Sequence, residues 1–319
     1  MASWECCVTA APDVDVAVVG AGPAGCAAAV QSRRLGLSVA LLDRTGRAGG
    51  LAANAWRMEN YPGLEGPVSG PEYVRRLELM LQRFDLCVRR REILSLRRTG
   101  NALDLEGSDG NSTHAGAVVL ATGTIPLRAG FRGEDLTPPV YVEVRQLDDV
   151  GPGRALVVGG GEAALDYSLS LADAGWRVAV LVRSNRPRAG GRLLETVRAC
   201  EDVVLHCRTR VLGVEAEEGG ASAILESAGG GRRMRTDAVL VAVGRRPAMP
   251  RLPLDARIAG AGPLVGLRGV FCAGDAAAGS LGQACTAAGQ GVEAAGLALE
   301  YLKGVGHEGR RGEDARDSR

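Results

Sequence analysis

Short apolar runs recur along the chain: "VDVAVVG", "LSVALLD", "AVVLATG", "RALVVGG", "WRVAVLVR" and "DAVLVAVG". Most are continuous rather than alternating in polarity, which suits parallel strands buried on both faces. Two stretches, 24–36 and 163–175, read as helices, each just after a glycine turn. Strand, glycine turn, helix, strand is the unit of a doubly wound α/β protein. The unit occurs twice, with turns starting at Gly20 and Gly159, so the repeat is a whole domain rather than a solenoid period. The 319 residues have room for two domains of ~150 residues each. Residues 1–13 read as a loose leader, and the charged stretch 305–319 as a disordered tail.

Composition narrows the function classes. The chain is 46% hydrophobic with a formal net charge of +1, so no overall field recommends nucleic acid or an anionic membrane as partner. Aromatics at 3% leave little to stack on bases. The start "MASWECCVTAAPDV" has no apolar stretch of a secretory signal. No apolar run is long enough to span a bilayer. None of the eight cysteines forms a C-x-x-C pair, and no paired framework is visible, which predicts reduced thiols and a cytoplasmic location.

"VAVVGAGPAGCAAAV" holds G-x-G-x-x-G as Gly20, Gly22 and Gly25, with Pro23 and Ala24 opening the helix. Gly20 permits the tight turn, Gly22 lets a pyrophosphate approach the backbone, and Gly25 allows the helix to pack on the strand. The helix start then faces the phosphates with free N–H groups. Asp43, at the end of the next strand, is placed to accept from ribose hydroxyls. The second turn repeats this logic with Gly159, Gly161, Glu162, Ala163 and Ala164. Its second strand ends in Arg183 instead of an acid, with Arg186 and Arg188 following. Guanidinium groups there favour a 2′-phosphate, hence NADPH over NADH.

The chain resembles the low-molecular-weight, thioredoxin-reductase-like group of the FAD- and NAD(P)-dependent pyridine nucleotide-disulfide oxidoreductases, over about residues 14–304. The first turn is similar to that family's FAD turn. The segment with Gly49, Gly50 and the N-[FY]-P-G element starting at Asn60 is similar to its flavin-lining segment. "VVLATGT", with Ala121, Thr122 and Gly123, resembles the crossing out of the FAD domain, and "VLVAVGRRP", with Gly244, resembles the return. "GVFCAGDAAAGSLGQACTAAGQGVEAA" resembles the C-terminal flavin signature. The resemblance implies that Gly274 and Asp275 meet the ribityl chain and pyrophosphate, and that Gln283 and Ala284 open a helix against the flavin ring. It further implies two Rossmann-like domains, with an NAD(P) domain (124–243) inserted in a discontinuous FAD domain (14–123 and 244–304). A homodimer and domain rotation about the crossings near Gly123 and Gly244 are implied as well.

One family element is missing. The dithiol of thioredoxin reductases precedes the second glycine turn, and its positions here fall near Val142 and Arg145. Neither side chain exchanges disulfides, so the expected activity is hydride transfer from NAD(P)H to FAD N5 and onward to a separate acceptor, a small molecule or a small redox protein. Three alternatives stay open: a disulfide reductase using another cysteine, a ferredoxin/flavodoxin–NADP reductase, and a flavin- or nucleotide-binding sensor without turnover. The candidate cysteines are Cys26, at a helix start that would lower its pKa, and Cys285, beside the ring-facing Ala284. Each also reads as a packed core residue. The cluster Arg89, Arg90, Arg91, Arg97 and Arg98 fits an acidic protein acceptor, or simply a charged strand edge. His114, His206 and His307 sit in no catalytic context, and no metal site is expected.

Overall fold

The computed structural model describes residues 12–136, 138–227, 229–277 and 282–314, with side chains described as far as residue 305. The chain opens with β1 (Val14–Val19), α1 (Pro23–Arg34), β2 (Val39–Asp43), α2 (Gly70–Arg83) and β3 (Val88–Arg90). It continues through β4 (Ile93–Thr99), β5 (Ala102–Gly107), β6 (Ser112–Leu120) and the crossing strand β7 (Thr124–Pro126). The second unit holds β8 (Val140–Tyr141), β9 (Arg154–Val158), α3 (Glu162–Asp173), β10 (Arg177–Val182), α4 (Gly191–Ala199) and β11 (Val203–Cys207). Then come β12 (Thr209–Glu217), β13 (Gly220–Ser227), β14 (Gly230–Thr236) and β15 (Ala238–Val241). The return brings β16 (Arg245–Pro247), β17 (Gly262–Pro263), β18 (Val270–Cys272) and α5 (Ala284–Asp314).

The apolar runs become the parallel centre of each sheet. The first runs β17-β18-β6-β1-β2-β3, with β5 antiparallel on β6 and β4 on β5. Val16, Ala17 and Val18 of β1 are wholly buried because the sheet is covered on both sides. Since β18 joins β6 in parallel, this sheet is built from both ends of the chain. The second sheet, β11-β10-β9-β15-β8, is parallel throughout, and β12-β13-β14 form a separate antiparallel sheet. β7 and β16 pair antiparallel, so the two crossings form one ribbon.

The predicted helices appear as α1 and α3, starting one residue earlier and ending two earlier than the sequence pattern indicates. α1 is lined with small side chains because α5 lies directly on it. A Cβ on Gly291 of α5 would stand 2.1 Å from the Ala24 carbonyl oxygen. α2 is amphipathic, with Tyr73, Leu77 and Leu81 buried at helical spacing and Ser69 capping the Glu72 N–H at 3.4 Å. Two expectations about the ends change. Residues 305–314 continue helix α5 instead of forming a loose tail; 315–319 lie outside the described residues. Of the leader, 1–11 also lie outside them, while Asp13 is tied to β6 by its N–H to His114 O (2.8 Å) and by its carboxylate accepting from His114 N (2.9 Å).

The Gly291 contact predicts that Gly291→Ala forces α5 off α1. Thermal unfolding should show a loss of about 1–3 kcal/mol. An unchanged melting temperature would mean that the two helices are not in register as described.

Candidate functional site

Both glycine turns use the same construction. Gly20 has φ +101°, and a Cβ there would lie 2.2 Å from Ala121 O at the end of β6. Gly159 has φ +151°, and its Cβ would lie 2.3 Å from Ala242 O just past β15. Each turn therefore presses its backbone onto the end of the neighbouring strand, which only glycine permits. Gly25 closes the first turn, since a Cβ there would meet Gly20 O at 1.7 Å. Ala164 takes the equivalent place in the second turn and is fully buried.

Of the middle glycines, Gly22 faces open ground and Gly161 faces the Arg188 guanidinium. Nothing lies within 4 Å of a Cβ built on Gly22, which is the room a pyrophosphate needs. Neither Gly22 nor Gly161 caps its helix through a side chain, so the first-turn N–H groups of α1 and α3 are available to an anion. Pro23 sits in the first turn of α1, where its missing N–H costs nothing. Glu162 and Ala163 are exposed at the start of α3. By these observations the first turn fits a dinucleotide pyrophosphate, and the second fits one too.

Asp43 does more than the sequence pattern assigns to it. Its Oδ2 accepts from the Ala21 N–H at 3.0 Å, and its Oδ1 accepts from Thr45 N (2.8 Å) and Thr45 Oγ1 (2.6 Å). The carboxylate thus fastens the glycine turn to the end of β2; ~four lone-pair sites leave capacity for a ribose hydroxyl. Gly49 donates its N–H to Ala21 O at 2.8 Å, and a Cβ on Gly50 would meet Gly22 Cα at 3.1 Å, so the paired glycines lie over the same turn.

The remaining flavin-site candidates converge from distant positions. Asn60 donates to Gln283 Oε1 at 2.6 Å, joining the N-Y-P-G loop to the residue before α5. Gly274, at φ +68°, packs against Ala24, where its Cβ would lie 2.8 Å from that of Ala24. Asp275 follows it in a short 3₁₀ turn, and Ala284 is the first residue of α5. Residues 278–281, between them, lie outside the described residues. Thr122 donates its hydroxyl to Ala248 O, and the Ala248 N–H returns to Gly123 O at 2.9 Å. Gly123 and Gly244 take φ +64° and +129° at the two crossings. Gln290 is a residue the sequence reading missed. Its Oε1 accepts from the Gly274 N–H at 2.8 Å, a contact without a local sequence signal because α5 must first dock.

At the second turn the arginines are free. Arg188 is held by its backbone N–H to Gly160 O at 2.6 Å, and its guanidinium is the atom group nearest a Cβ on Gly161, at 3.8 Å. Arg183 and Arg186 are exposed beside it. Among the described residues no carboxylate pairs with any of the three.

The thiols separate. Cys26 is fully buried, donates to Ala21 O at 3.2 Å, and is pushed up to about 12, chiefly by burial. That is opposite in sign to the lowering expected at a helix start: the side chain turns into the core, away from the first-turn N–H groups. Cys285 is partly exposed on the first turn of α5, lining an apolar groove with Pro23, Tyr61 and Tyr73. Most of the basic cluster is internally paired: Arg91 with Asp109 (3.1 Å), Arg97 with Asp104 (2.7 Å), and Arg98 with Tyr301 Oη (3.0 Å). Arg89 and Arg90 remain exposed on β3, the edge strand. His114 faces Asp13, and His206, level with Leu181 in the second sheet, faces Arg232; the side chain of His307 lies outside the described residues.

Where a dithiol would stand, the chain instead builds a seam between its domains. Asn54 Oδ1 accepts from the Arg145 N–H, and Asn54 Nδ2 donates to Glu143 Oε2, both at 3.3 Å. Next to it, Trp56 donates its backbone N–H to Asp166 Oδ2 (2.9 Å) and its indole N–H to Asp173 Oδ2 (2.7 Å) on α3. Burial pushes the Asp166 carboxyl up to about 6 against the pull of the Trp56 N–H.

Two dinucleotide turns on one chain, joined by a paired crossing, define a two-nucleotide oxidoreductase. A family model described as pyridine nucleotide-disulphide oxidoreductase matches residues 14–291. The chain belongs to this family. It is 30% identical to a thioredoxin reductase of Treponema pallidum (strain Nichols), over 91% of this chain and 97% of that protein. It is 28% identical to a ferredoxin–NADP reductase of Ignicoccus hospitalis, over 91% and 98%. Among solved structures it is similar in fold to the thioredoxin reductase of T. acidophilum, with TM-score 0.81 and 24% identity over 92% of this chain and 99% of that one. The Lactococcus lactis thioredoxin reductase gives 0.79 and 22% over 91% and 99%. The fold is thioredoxin-reductase-like, and the chain is an oxidoreductase of the FAD- and NAD(P)H-dependent kind, without a C-x-x-C relay.

The Asp166 environment makes a prediction with a definite sign. Its folded-state value lies above the ordinary 3.8, so the ionised form is disfavoured in the fold. Its destabilising effect grows as pH rises from about 4 to about 6 and is then constant, at roughly 2–3 kcal/mol. Asp166→Asn keeps an acceptor for the Trp56 N–H. Its melting temperature should exceed that of the unsubstituted protein at pH 8, with the gap closing as pH falls through 6 toward 4. A gap independent of pH would mean that Asp166 is not the titrating group.

Proposed function

We propose that this chain oxidises NADPH, in preference to NADH, by hydride transfer to FAD, and delivers the electrons to a separate acceptor without a protein thiol relay. The observation that carries this reading is the seam at the missing dithiol. Val142 and Arg145 stand at the two dithiol positions, and Arg145 and the intervening Glu143 are bonded to Asn54, while Cys26, near the first turn, is buried with its thiol proton held firmly. When bound, FAD supplies the two-electron exchange with the nicotinamide and with the acceptor.

The chain's residues bind and orient. Gly20, Gly22, Ala24 and Gly25, with the start of α1, would hold the FAD pyrophosphate, and Asp43 keeps the turn in shape while reaching the ribose. Gly50, Asn60, Gln283 and Ala284 would border the flavin ring, and Gly274 with Asp275 the ribityl chain. The N–H groups at the start of α3 would take the NADPH pyrophosphate. Arg183, Arg186 and Arg188, unpaired by any described carboxylate, would take the 2′-phosphate. The acceptor is a small molecule or a small redox protein. A second reading, ferredoxin–NADP reduction, draws on the 28% identical relative of that name and on the exposed Arg89 and Arg90, which suit an acidic partner.

A cytoplasmic homodimer completes the proposal. The six described cysteines are all unpaired, which accords with a reducing compartment. Leu79 and Val292 are exposed on α2 and α5, which suits a contact between copies. Among the described residues no helix is long and apolar enough to cross a membrane.

Anaerobic titration tests the central claim: NADPH should bleach the flavin absorbance of the loaded protein, and NADH should do so less efficiently. No bleaching with either would favour a sensor. Replacing Arg183 and Arg188 together by Ala should raise KM for NADPH about tenfold or more, the size of a lost charge-assisted contact, with KM for NADH little changed. Cys285→Ser and Cys26→Ser should each retain turnover; collapse in either would restore a thiol relay.

A further inference from the structure

We propose that Glu143 is a positioning residue that sets the orientation of the nucleotide-binding domain against the flavin-binding domain. It does so by tying Asn54, after the flavin-lining glycines, to Arg245 on the crossing ribbon. The proposal rests on the hydride-transfer reading above only for its kinetic consequence.

Glu143 caps a 3₁₀ turn (Val144–Leu147) that follows β8, and Gln146 reaches back to the N–H groups of Val142 and Glu143, both at 2.9 Å. The side chain is therefore aimed before it makes any long-range contact. Its Oε2 then accepts from Asn54 Nδ2 and its Oε1 from the Arg245 guanidinium, each at 3.3 Å. Arg245 in turn donates to Thr124 Oγ1 (2.9 Å) and Thr124 O (3.0 Å). Thr124 and Arg245 are the first residues of the two crossing strands, so this one carboxylate touches the flavin domain, the nucleotide domain and the connection between them.

The contacts are sheltered enough to matter. The Asn54 side chain belongs to a residue only 2% exposed, and the Arg245 and Glu143 side chains are 17% and 31% exposed. Removing the carboxylate leaves the Asn54 Nδ2 donor without its Glu143 partner in a buried place, with only Oδ1 still bonded to the Arg145 N–H, and leaves Arg245 with Thr124 alone, which is a larger penalty than loss of a surface ion pair. The rest of the seam lies to one side, in Trp56 with Asp166 and Asp173 and in Glu59 with Arg192 (3.7 Å). Those contacts hold α3 and α4 but do not reach the crossing ribbon. Among the hydrogen bonds of the described residues, Glu143 alone couples the ribbon to the seam, and the two crossings are where a rotation of one domain on the other would act.

The test uses the full-length, flavin-loaded protein with Glu143→Ala, Glu143→Gln and Asn54→Ala, plus the Glu143→Ala/Asn54→Ala double variant. Solution X-ray scattering reads the domain arrangement, and stopped-flow bleaching by NADPH reads the reductive step. Glu143→Ala should change the scattering profile and shift the bleaching rate about threefold or more, a coupling of roughly 0.7 kcal/mol. Its flavin spectrum and far-ultraviolet dichroism should stay unchanged. Glu143→Gln, which keeps the shape but loses the charge facing Arg245, should fall between. The double variant should match the single ones rather than sum them. Scattering and rates superimposable on the unsubstituted protein would overturn the proposal, as would additive effects in the double variant. If Glu143→Ala fails to fold, Glu143→Gln and Asn54→Ala carry the same readouts. If NADPH bleaches no variant, the hydride-transfer reading fails while the scattering still decides the role of Glu143.

Discussion

The structure depends on a backbone contact that no side chain can replace. At each glycine turn the chain leaves a strand and presses its Cα onto the carbonyl of the next strand's end, Gly20 on Ala121 and Gly159 on Ala242. With a Cβ the turn would stand off, the following helix would shift, and its first N–H groups would point elsewhere. The small-residue character of α1, the burial of Ala164 and the docking of α5 through Gly291 all preserve this approach. Two copies of the contact give two helix starts whose first N–H groups are free.

The seam makes the second half of the argument. The stretch before the second glycine turn lies against residues 49–60, because β8 adds to the edge of the second sheet and the chain then turns back to bond Asn54. A dithiol at this location would exchange electrons. Arg145, at one of the two positions, and Glu143, between them, are instead hydrogen-bonded to Asn54. The same reasoning separates the cysteines. Cys26 follows a helix start in sequence, yet its Sγ faces Ala21 O inside the core, so burial outweighs the helix dipole.

Much of this was legible along the chain. Continuous apolar runs with glycine turns between them specify parallel strands and helix starts, because those demands are local: a strand buried on both faces must be apolar throughout, and a turn at positive φ needs glycine. The missing dithiol was equally legible, since it concerns residue identity. Helices α2 and α4 were not read from the pattern, and the stretch 305–314 extends α5 where its charged composition suggested a tail. Composition there underweights the continuation of a helix already docked along its first turns.

What the sequence by itself determined is therefore the two-nucleotide architecture and the absence of a thiol relay at the usual place. Only the tertiary structure decided what fills that place, which thiol is sealed in the core, and that Asp43 braces the turn it was expected to serve. It also brought Gln290 to Gly274 and Asn60 to Gln283. The reason is physical. Glycine turns and apolar strands answer to their near neighbours in the chain, whereas a carboxylate, an amide or a thiol takes its role from groups that arrive only when distant segments pack.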